Sequence, residues 1–104
     1  MTAHFALIST SDDLLRLVAE FAQGLGCALE QPPGSGIGAL RVQVTDTAET
    51  LLSLLTYVAL TAMKVRVNLD EPLCEVTYQH GAEVSEVTLS FRIADIRIHK
   101  PSSV

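Results

Sequence analysis

Aromatic residues and cysteines are scarce in this chain. Tryptophan is absent, aromatic residues make up 5% of the sequence, and only two cysteines are present. The two, Cys27 and Cys74, can form at most one bridge. They lie far apart, so no CxxC motif is present. We expect both to be buried free thiols, as is usual in a reducing cytoplasm. The sequence therefore predicts a cytoplasmic protein.

Long hydrophobic runs are also missing. A membrane-spanning helix needs roughly 20 consecutive apolar residues. The best candidate, residues 51–63, is shorter and is interrupted by Ser53 and Thr56. The start of the chain lacks the basic residues and the long apolar core of a secretory signal. The sequence predicts neither a membrane anchor nor a leader peptide.

Motifs for metal binding, cofactor binding or catalysis are absent from the sequence. His4, His80 and His99 are widely separated, whereas zinc ligands usually recur at short, regular spacing. The glycine-rich run at residues 34–38 joins two predicted strands, whereas a phosphate-binding loop leads from a strand into a helix. No serine lies in a nucleophile-elbow pattern. The sequence therefore predicts no metal, no cofactor and no catalytic residue, and a protein that is not an enzyme.

A strongly patterned region runs from residue 40 to residue 70. Apolar and polar residues alternate over residues 40–45, which predicts a half-buried strand. Asp46 is a candidate helix cap, and apolar residues then recur at helical spacing. Alternation returns over residues 64–69, which predicts a second strand. The apolar stripe of the helix comprises Leu51, Leu54, Leu55 and Val58, broadened by Leu52, Ala59 and Met63.

The first part of the chain repeats this pattern at a constant offset of 37 residues, from Ala3 to Leu40 for example. Thr10 or Ser11 can cap its helix, and Gly24 and Gly26 favour a left-handed stop at the end. A β-α-β unit that occurs twice predicts the split βαβ, or ferredoxin-like, arrangement.

The two repeats define the predicted fold. We expect residues 3–9 and 40–46 to be adjacent, parallel, central strands. Residues 32–39 (PPGSGIGA) are rich in proline and glycine, which predicts a loop between the repeats. After the second repeat, residues 73–79 and 85–98 alternate again and predict a hairpin, with a β-bulge at residues 94–95.

The chain of 104 residues, of which 48% are hydrophobic, is long enough for one domain with a single core. The sequence predicts an α+β domain over residues 1–104 with the order β1α1β2β3α2β4 and an added C-terminal β-hairpin. Two helices cover one face of a mostly antiparallel sheet whose spatial order is 6-5-4-1-3-2. Its parts are two βαβ-like units, 3–31 and 40–69, and the hairpin 73–98.

Charge is distributed unevenly over this predicted fold. The net charge is −5, with seven basic and twelve acidic residues. Most acids fall at helix starts and turns, whereas five basic residues fall on the sheet face that the helices leave uncovered. A locally basic face predicts a protein partner with an acidic surface. The predicted partner-binding residues are Arg41, Lys64, Arg66, Arg92 and Arg97.

Nucleic acid is not the predicted partner. Proteins that read single strands on a sheet stack bases on exposed aromatic side chains. Here Phe5, Tyr78 and Phe91 have the parity of the covered face. The negative net charge also disfavours nonspecific binding to nucleic acid or to an anionic membrane.

The sequence favours a non-enzymatic protein–protein interaction module of the inhibitor, immunity or assembly-subunit type. It would bind a partner, or a second copy of itself as a homodimer, through the uncovered sheet face and the C-terminal edge strand. Two alternatives stay open: a dimeric α+β barrel that encloses a small-molecule and even catalytic site, and a regulatory domain that binds a small polar metabolite.

Overall fold

The computed structural model describes residues 3–31, 38–44, 47–79 and 86–95. Within these ranges the structure contains two α-helices and one antiparallel five-stranded sheet, which confirms the predicted α+β class with two helices. The elements are β1 (Ala3–Ile8), α1 (Asp12–Gly24), β2 (Ala28–Gln31), β3 (Ala39–Val44), α2 (Thr47–Lys64), β4 (Leu73–Gln79), β5 (Glu86–Arg92) and a short 3-10 helix (Ile93–Asp95).

The strands lie in the order β2-β3-β1-β4-β5, which is consistent with a ferredoxin-like kind of fold. Strand β1 is central and supplies Phe5 and Leu7, both fully buried, to the face that packs against the helices. The same face carries Leu40 and Val42 of β3 and Val76 of β4, all buried. The core therefore lies between the sheet and the helix layer, and the opposite face of the sheet stays open.

Helix α1 begins after Ser11, one of its two predicted caps, and its left-handed stop lies at Gly26, one of the two predicted glycines. The hydroxyl of Ser11, the N-cap, accepts a hydrogen bond from the Leu14 N–H at 3.3 Å. At the other end Gly26 adopts the left-handed conformation with φ of 85°, and the Cys27 N–H donates to the Ala22 carbonyl at 3.0 Å. This pattern closes a helix through a residue with positive φ, for which glycine is best suited.

Helix α2 ends in the same way without a glycine. Arg66 has φ of 59°, and the Val67 N–H donates to the Ala62 carbonyl at 2.9 Å. The predicted strand over residues 64–69 is therefore wrong, because the helix continues through Lys64 and a left-handed turn follows. The alternation that suggested a strand has another cause. The segment after the turn packs Val65, Val67 and Leu69 partly against the core.

The predicted directions of the two repeated strands are also wrong. Strands β1 and β3 are adjacent and central, as expected, but they are antiparallel, with Ala3 opposite Val44 and Leu7 opposite Leu40. The cause is topological. Helix α1 returns the chain so that β2 runs parallel to β1, and β3 lies between them and antiparallel to β2. The repeats are therefore related by a rotation rather than by a translation.

The C-terminal strands shift by one position relative to the predicted order. Strand β4 pairs directly with β1, in the place expected for residues 64–69, and β5 forms the outer edge. Five strands therefore replace the six predicted over the described ranges. The predicted bulge at residues 94–95 is wrong, because β5 ends at Arg92 and the 3-10 helix follows.

Several predicted features lie outside the described residues. These are the Asp46 cap, most of the 32–39 loop, and the part of the last strand beyond residue 95. Among the described cysteines, Cys27 and Cys74 are buried free thiols, as predicted. No helix within the described ranges is long and apolar enough to cross a membrane.

Candidate functional site

The outer edge of β5 is the clearest candidate surface. Strand β5 pairs with β4 over seven residues, from Glu86 opposite Gln79 to Arg92 opposite Leu73. No described strand pairs with its other side. An edge of this length offers a row of backbone N–H and C=O groups that can pair with another strand.

Two apolar side chains accompany this edge. Val87 and Leu89 are each 50% exposed, although they share the helix-covered face with buried residues of β4. Leu89 lies opposite Val76, which is only 2% exposed. Val76 belongs to the buried core cluster, whereas Val87 and Leu89 of the outermost strand lie beyond it. Among the described residues, the edge therefore combines a strand side that no other strand pairs with and exposed apolar surface.

The opposite edge of the sheet differs from β5. Strand β2 has four residues, and its register with β3 shifts between Leu29 and Gln31. Short, irregular edges discourage pairing with another chain. Of the two edges, β5 is the one suited to strand addition.

A shallow cavity of about 350 Å³ lies on the open face of the sheet. Ala6 of β1 lines it and lies between Arg41 of β3 and Glu75 of β4, its register partners on the two neighbouring strands. The Cα atoms of Arg41 and Glu75 are therefore about 10 Å apart, two strand spacings. The residues that line the cavity are His4, Phe5, Ala6, Glu30, Arg41, Glu75, Thr77, Glu86 and Thr88.

The charges around this cavity are mixed rather than basic. His4 Nδ1 lies 2.5 Å from Glu30 Oε1, and the hydroxyls of Thr77 and Thr88 are 3.2 Å apart. Glu75 and Glu86 complete the acidic side, and Arg41 is the cation of the set. No salt bridge among the described residues joins Arg41 to these acids. The open face therefore presents separated charges of both signs.

The five basic residues of the predicted binding patch do not come together. Arg41 and, by strand alternation, Arg92 belong to the open face. Lys64 lies in the last turn of α2, which belongs to the helix layer, and Arg66 lies in the turn that follows. Their expected place on the sheet is wrong, because residues 64–69 do not form a strand. Arg97 lies outside the described residues. Whether any of the five binds a partner stays a prediction.

Arg92 also takes part in a hydrogen-bonded cluster at one end of the sheet. Its Nη1 donates to the Glu71 carbonyl at 3.1 Å, and its backbone N–H donates to Asp95 Oδ2 at 3.1 Å. The carboxylate of Glu71 accepts from the Ser9 hydroxyl at 2.9 Å and from the Thr10 N–H at 2.6 Å. This cluster fixes the end of β5 relative to the loop between β1 and α1.

The helix layer carries an exposed apolar area that sequence reasoning missed. Leu52, Leu60 and Met63 of α2 are 65%, 52% and 54% exposed. The prediction that Leu52 and Met63 belong to the buried stripe is therefore wrong. Nearby, Phe21 of α1 and Tyr57 of α2 stack with ring centroids 4.0 Å apart. The sequence of α2 contains the signal for this exposed area, because apolar residues lie on nearly all sides of the helix. Such a helix has more apolar surface than one contact can bury.

Metal-ligand clusters and reactive thiols are two kinds of reactive group that bear on catalysis among the described residues. None of them form a group of three or more His, Cys, Asp or Glu side chains that could hold a metal ion. Burial raises the pKa of the Cys74 thiol to about 12 and also raises that of Cys27. Both thiols are therefore protonated near neutral pH and are poor nucleophiles.

Comparison of the chain with protein families, curated proteins and solved structures finds no match.

Proposed function

We propose that this chain is a non-enzymatic protein–protein interaction module, a ferredoxin-like domain with an extra edge strand. It binds a protein partner or a second copy of itself through β5 and the adjoining sheet surface. The observation that carries this proposal is the outer edge of β5: seven residues in regular register, unpaired among the described strands, with Val87 and Leu89 half exposed.

Strand addition is the binding mode that this edge supports. An incoming strand gains affinity from main-chain hydrogen bonds, and specificity comes from side chains that alternate between the two faces. Val87 and Leu89 supply apolar contacts on the helix side, and Thr88 and Ser90 supply polar contacts on the open side. Inhibitors, immunity proteins and assembly subunits can use such an edge, an analogy made at the level of the fold alone.

The charges at the two ends of β5 refine the predicted partner chemistry. Arg92 favours an acidic group at one end, whereas Glu86 favours a basic group at the other. An acidic partner surface is therefore proposed only for the Arg92 end of the strand. Arg41 supplies a second cation on the open face, but Glu75 lies one strand beyond it.

Site-specific photo-crosslinking tests this function. A photoreactive amino acid replaces Leu89 in the full chain, and in a control chain it replaces Leu52, which is exposed on α2. In an extract of the native host we expect protein adducts from position 89, and we expect Val87→Lys to abolish them. Adducts that persist in the Val87→Lys chain, or equal labelling from positions 89 and 52, would overturn the proposal.

The cavity on the open face favours a second candidate function, the binding of a small polar metabolite. Arg41 and Glu75 flank Ala6 as a cation and an anion whose Cα atoms are about 10 Å apart, so a zwitterion such as an α-amino acid can bind between the two side chains. By contrast, a dimeric barrel would bury these charges between two sheets, at a high desolvation cost. The polar lining therefore favours an open metabolite site over a barrel.

Amide chemical shifts distinguish this second function. With α-amino acids as probes at millimolar concentration, we expect saturable shifts at Ala6 and Thr77. Arg41→Ala should abolish them, whereas Arg16→Ala, on the exposed side of α1, should leave them unchanged. An absence of saturable shifts with every amino acid would exclude a zwitterion site.

A further inference from the structure

The residues of β5 are complementary to themselves when a second copy of the strand runs antiparallel. With Leu89 opposite Leu89 of the second copy, Val87 faces Phe91 and Thr88 faces Ser90. The same register places Glu86 opposite Arg92 of the second copy, and symmetry repeats that pair. Each apolar residue thus meets an apolar one, each polar residue a polar one, and each charge its opposite.

Other registers lose this match. If Thr88 faces Thr88 of the second copy, Arg92 has no facing residue in β5 of that copy. If Ser90 faces Ser90 of the second copy, Glu86 has none. A register that pairs odd with even positions turns the apolar residues of one copy to the open face of the other. The Leu89-centred register is the one that pairs all seven residues and both charges.

We propose that β5 pairs antiparallel with β5 of a second copy about a two-fold axis at Leu89. In this arrangement Glu86 of each copy pairs with Arg92 of the other. This inference rests on the proposed function of β5 and names its partner. The two five-stranded sheets become one continuous sheet, and a two-fold contact uses the same patch on both chains and closes on itself. The short, irregular β2 at the far edge gives no second pairing site of equal quality.

The contacts that Arg92 already makes are compatible with this pairing. Its side chain gives one nitrogen, Nη1, to the Glu71 carbonyl, and a guanidinium carries five N–H donors. Within the described part of the chain the Glu71 carbonyl is the acceptor for this side chain, so the remaining donors can bond to Glu86 of the second copy. The Arg92 backbone N–H is bonded to Asp95, so the ladder between the copies is centred on Thr88, Leu89 and Ser90.

Charge reversal with analytical ultracentrifugation of the full chain tests the register. We expect the wild type to form dimers, and Glu86→Arg and Arg92→Glu each to raise the dimer dissociation constant roughly tenfold or more, since like charges then face each other twice. The double variant, Glu86→Arg with Arg92→Glu, should recover dimerisation. An equimolar mixture of the two single variants should form heterodimers. Glu20→Arg, an exposed change on α1, is the control and should have no effect.

A cysteine test keeps the proposal falsifiable if Arg92→Glu fails to fold through loss of its bond to Glu71. Residues directly opposite in a ladder have Cα atoms within disulfide range, so Leu89→Cys should crosslink two copies on mild oxidation. Val87→Cys faces Phe91 instead and should not. The native thiols, Cys27 and Cys74, are buried and should remain free.

A wild type that is monomeric at millimolar concentration, or a dimer insensitive to both single reversals, would overturn the proposal. Equal crosslinking of Leu89→Cys and Val87→Cys would overturn the register. The proposed function of β5 as a binding edge can fail independently of the dimer. A monomeric chain whose position 89 still crosslinks to a different protein contradicts only the second copy as partner, whereas loss of all position-89 adducts contradicts the use of the edge itself.

Discussion

Glu71 is a single residue that joins separate parts of the fold through its side chain and its main-chain carbonyl. Its carboxylate holds Ser9 and Thr10 after β1, and its carbonyl holds Arg92 at the end of β5. Ser9 is nearly inaccessible to water, with 3% of its surface exposed. Removing the carboxylate leaves a buried hydroxyl without this acceptor, which carries a desolvation cost.

We therefore expect Glu71→Ala to lower the free energy of unfolding by about 1–3 kcal/mol. Urea denaturation measures this loss. Glu20→Ala, at an exposed position on α1, should change the free energy of unfolding by less than about 0.5 kcal/mol. Equal effects from the two substitutions would show that the Glu71 cluster does not stabilise the fold.

Arg66 occupies a left-handed backbone conformation that residues other than glycine, asparagine and aspartate rarely adopt. A left-handed conformation costs a residue with a Cβ atom roughly 1–2 kcal/mol. We expect Arg66→Gly to raise the free energy of unfolding by about 1 kcal/mol, because glycine removes this strain. Met63→Gly, inside α2, should lower it by a similar amount through lost helix propensity. A destabilising Arg66→Gly would contradict the left-handed turn.

Cys74 links stability to alkaline pH. Burial raises its pKa from 9.0 to about 12, so the folded state keeps the proton that the unfolded state loses. A raised pKa in the folded state contributes stability below the unfolded pKa, and this contribution is lost as the pH rises from about 9 towards 12. The stability difference between wild type and Cys74→Ala should therefore shrink above pH 9. A difference that stays constant from neutral pH to about 10.5 would contradict burial of the thiol.

At the scale of elements, local signals specified some parts of the fold and failed at others. The Ser11 cap and the Gly26 stop of α1 were readable because each is the residue type that its backbone position requires. The end of α2 was hidden because Arg66 takes the position that glycine usually holds. Period-2 alternation over residues 64–69 then suggested a strand, although an irregular segment can also pack every second side chain.

The direction of β3 could not be read from the repeat. The same offset of apolar positions fits two strands related by translation or by rotation, and only the route of the chain through β2 decides between them. Burial within α2 had a similar ambiguity. Leu55 was expected to be a buried core leucine, but it is only partly buried, whereas Leu54 is fully buried.

Truncation of two leucines on α2 tests this revised assignment of faces. We expect Leu54→Ala to lower the free energy of unfolding by about 2–5 kcal/mol, as for a core leucine that leaves a cavity. Leu52→Ala, at a position 65% exposed, should cost less than about 0.5 kcal/mol. Thermal and urea denaturation measure both. Losses of similar size would show that the two faces are assigned wrongly.

At the scale of the whole molecule, the sequence predicts the outer edge strand better than it predicts the arrangement of charged side chains. The sequence placed Arg41 and Arg92 on the open face because they lie in true strands, and it misplaced Lys64 and Arg66 because their segment is not one. It also could not show Glu30, Glu75 and Glu86 around Arg41, since that arrangement depends on strand order. The outer position of the last strand was readable, because long C-terminal alternation follows a complete split βαβ pattern.

The central claim is that the outer edge of β5 pairs with β5 of a second copy, and concentration-dependent hydrogen exchange tests it most directly. Exchange is followed at the β5 amides that do not bond to β4, with the β2 edge as an internal control. We expect these β5 amides to exchange more slowly at millimolar than at micromolar protein concentration. The β2 amides should not change, and Glu86→Arg should remove the difference. Fast exchange along β5 that does not depend on protein concentration would contradict the claim.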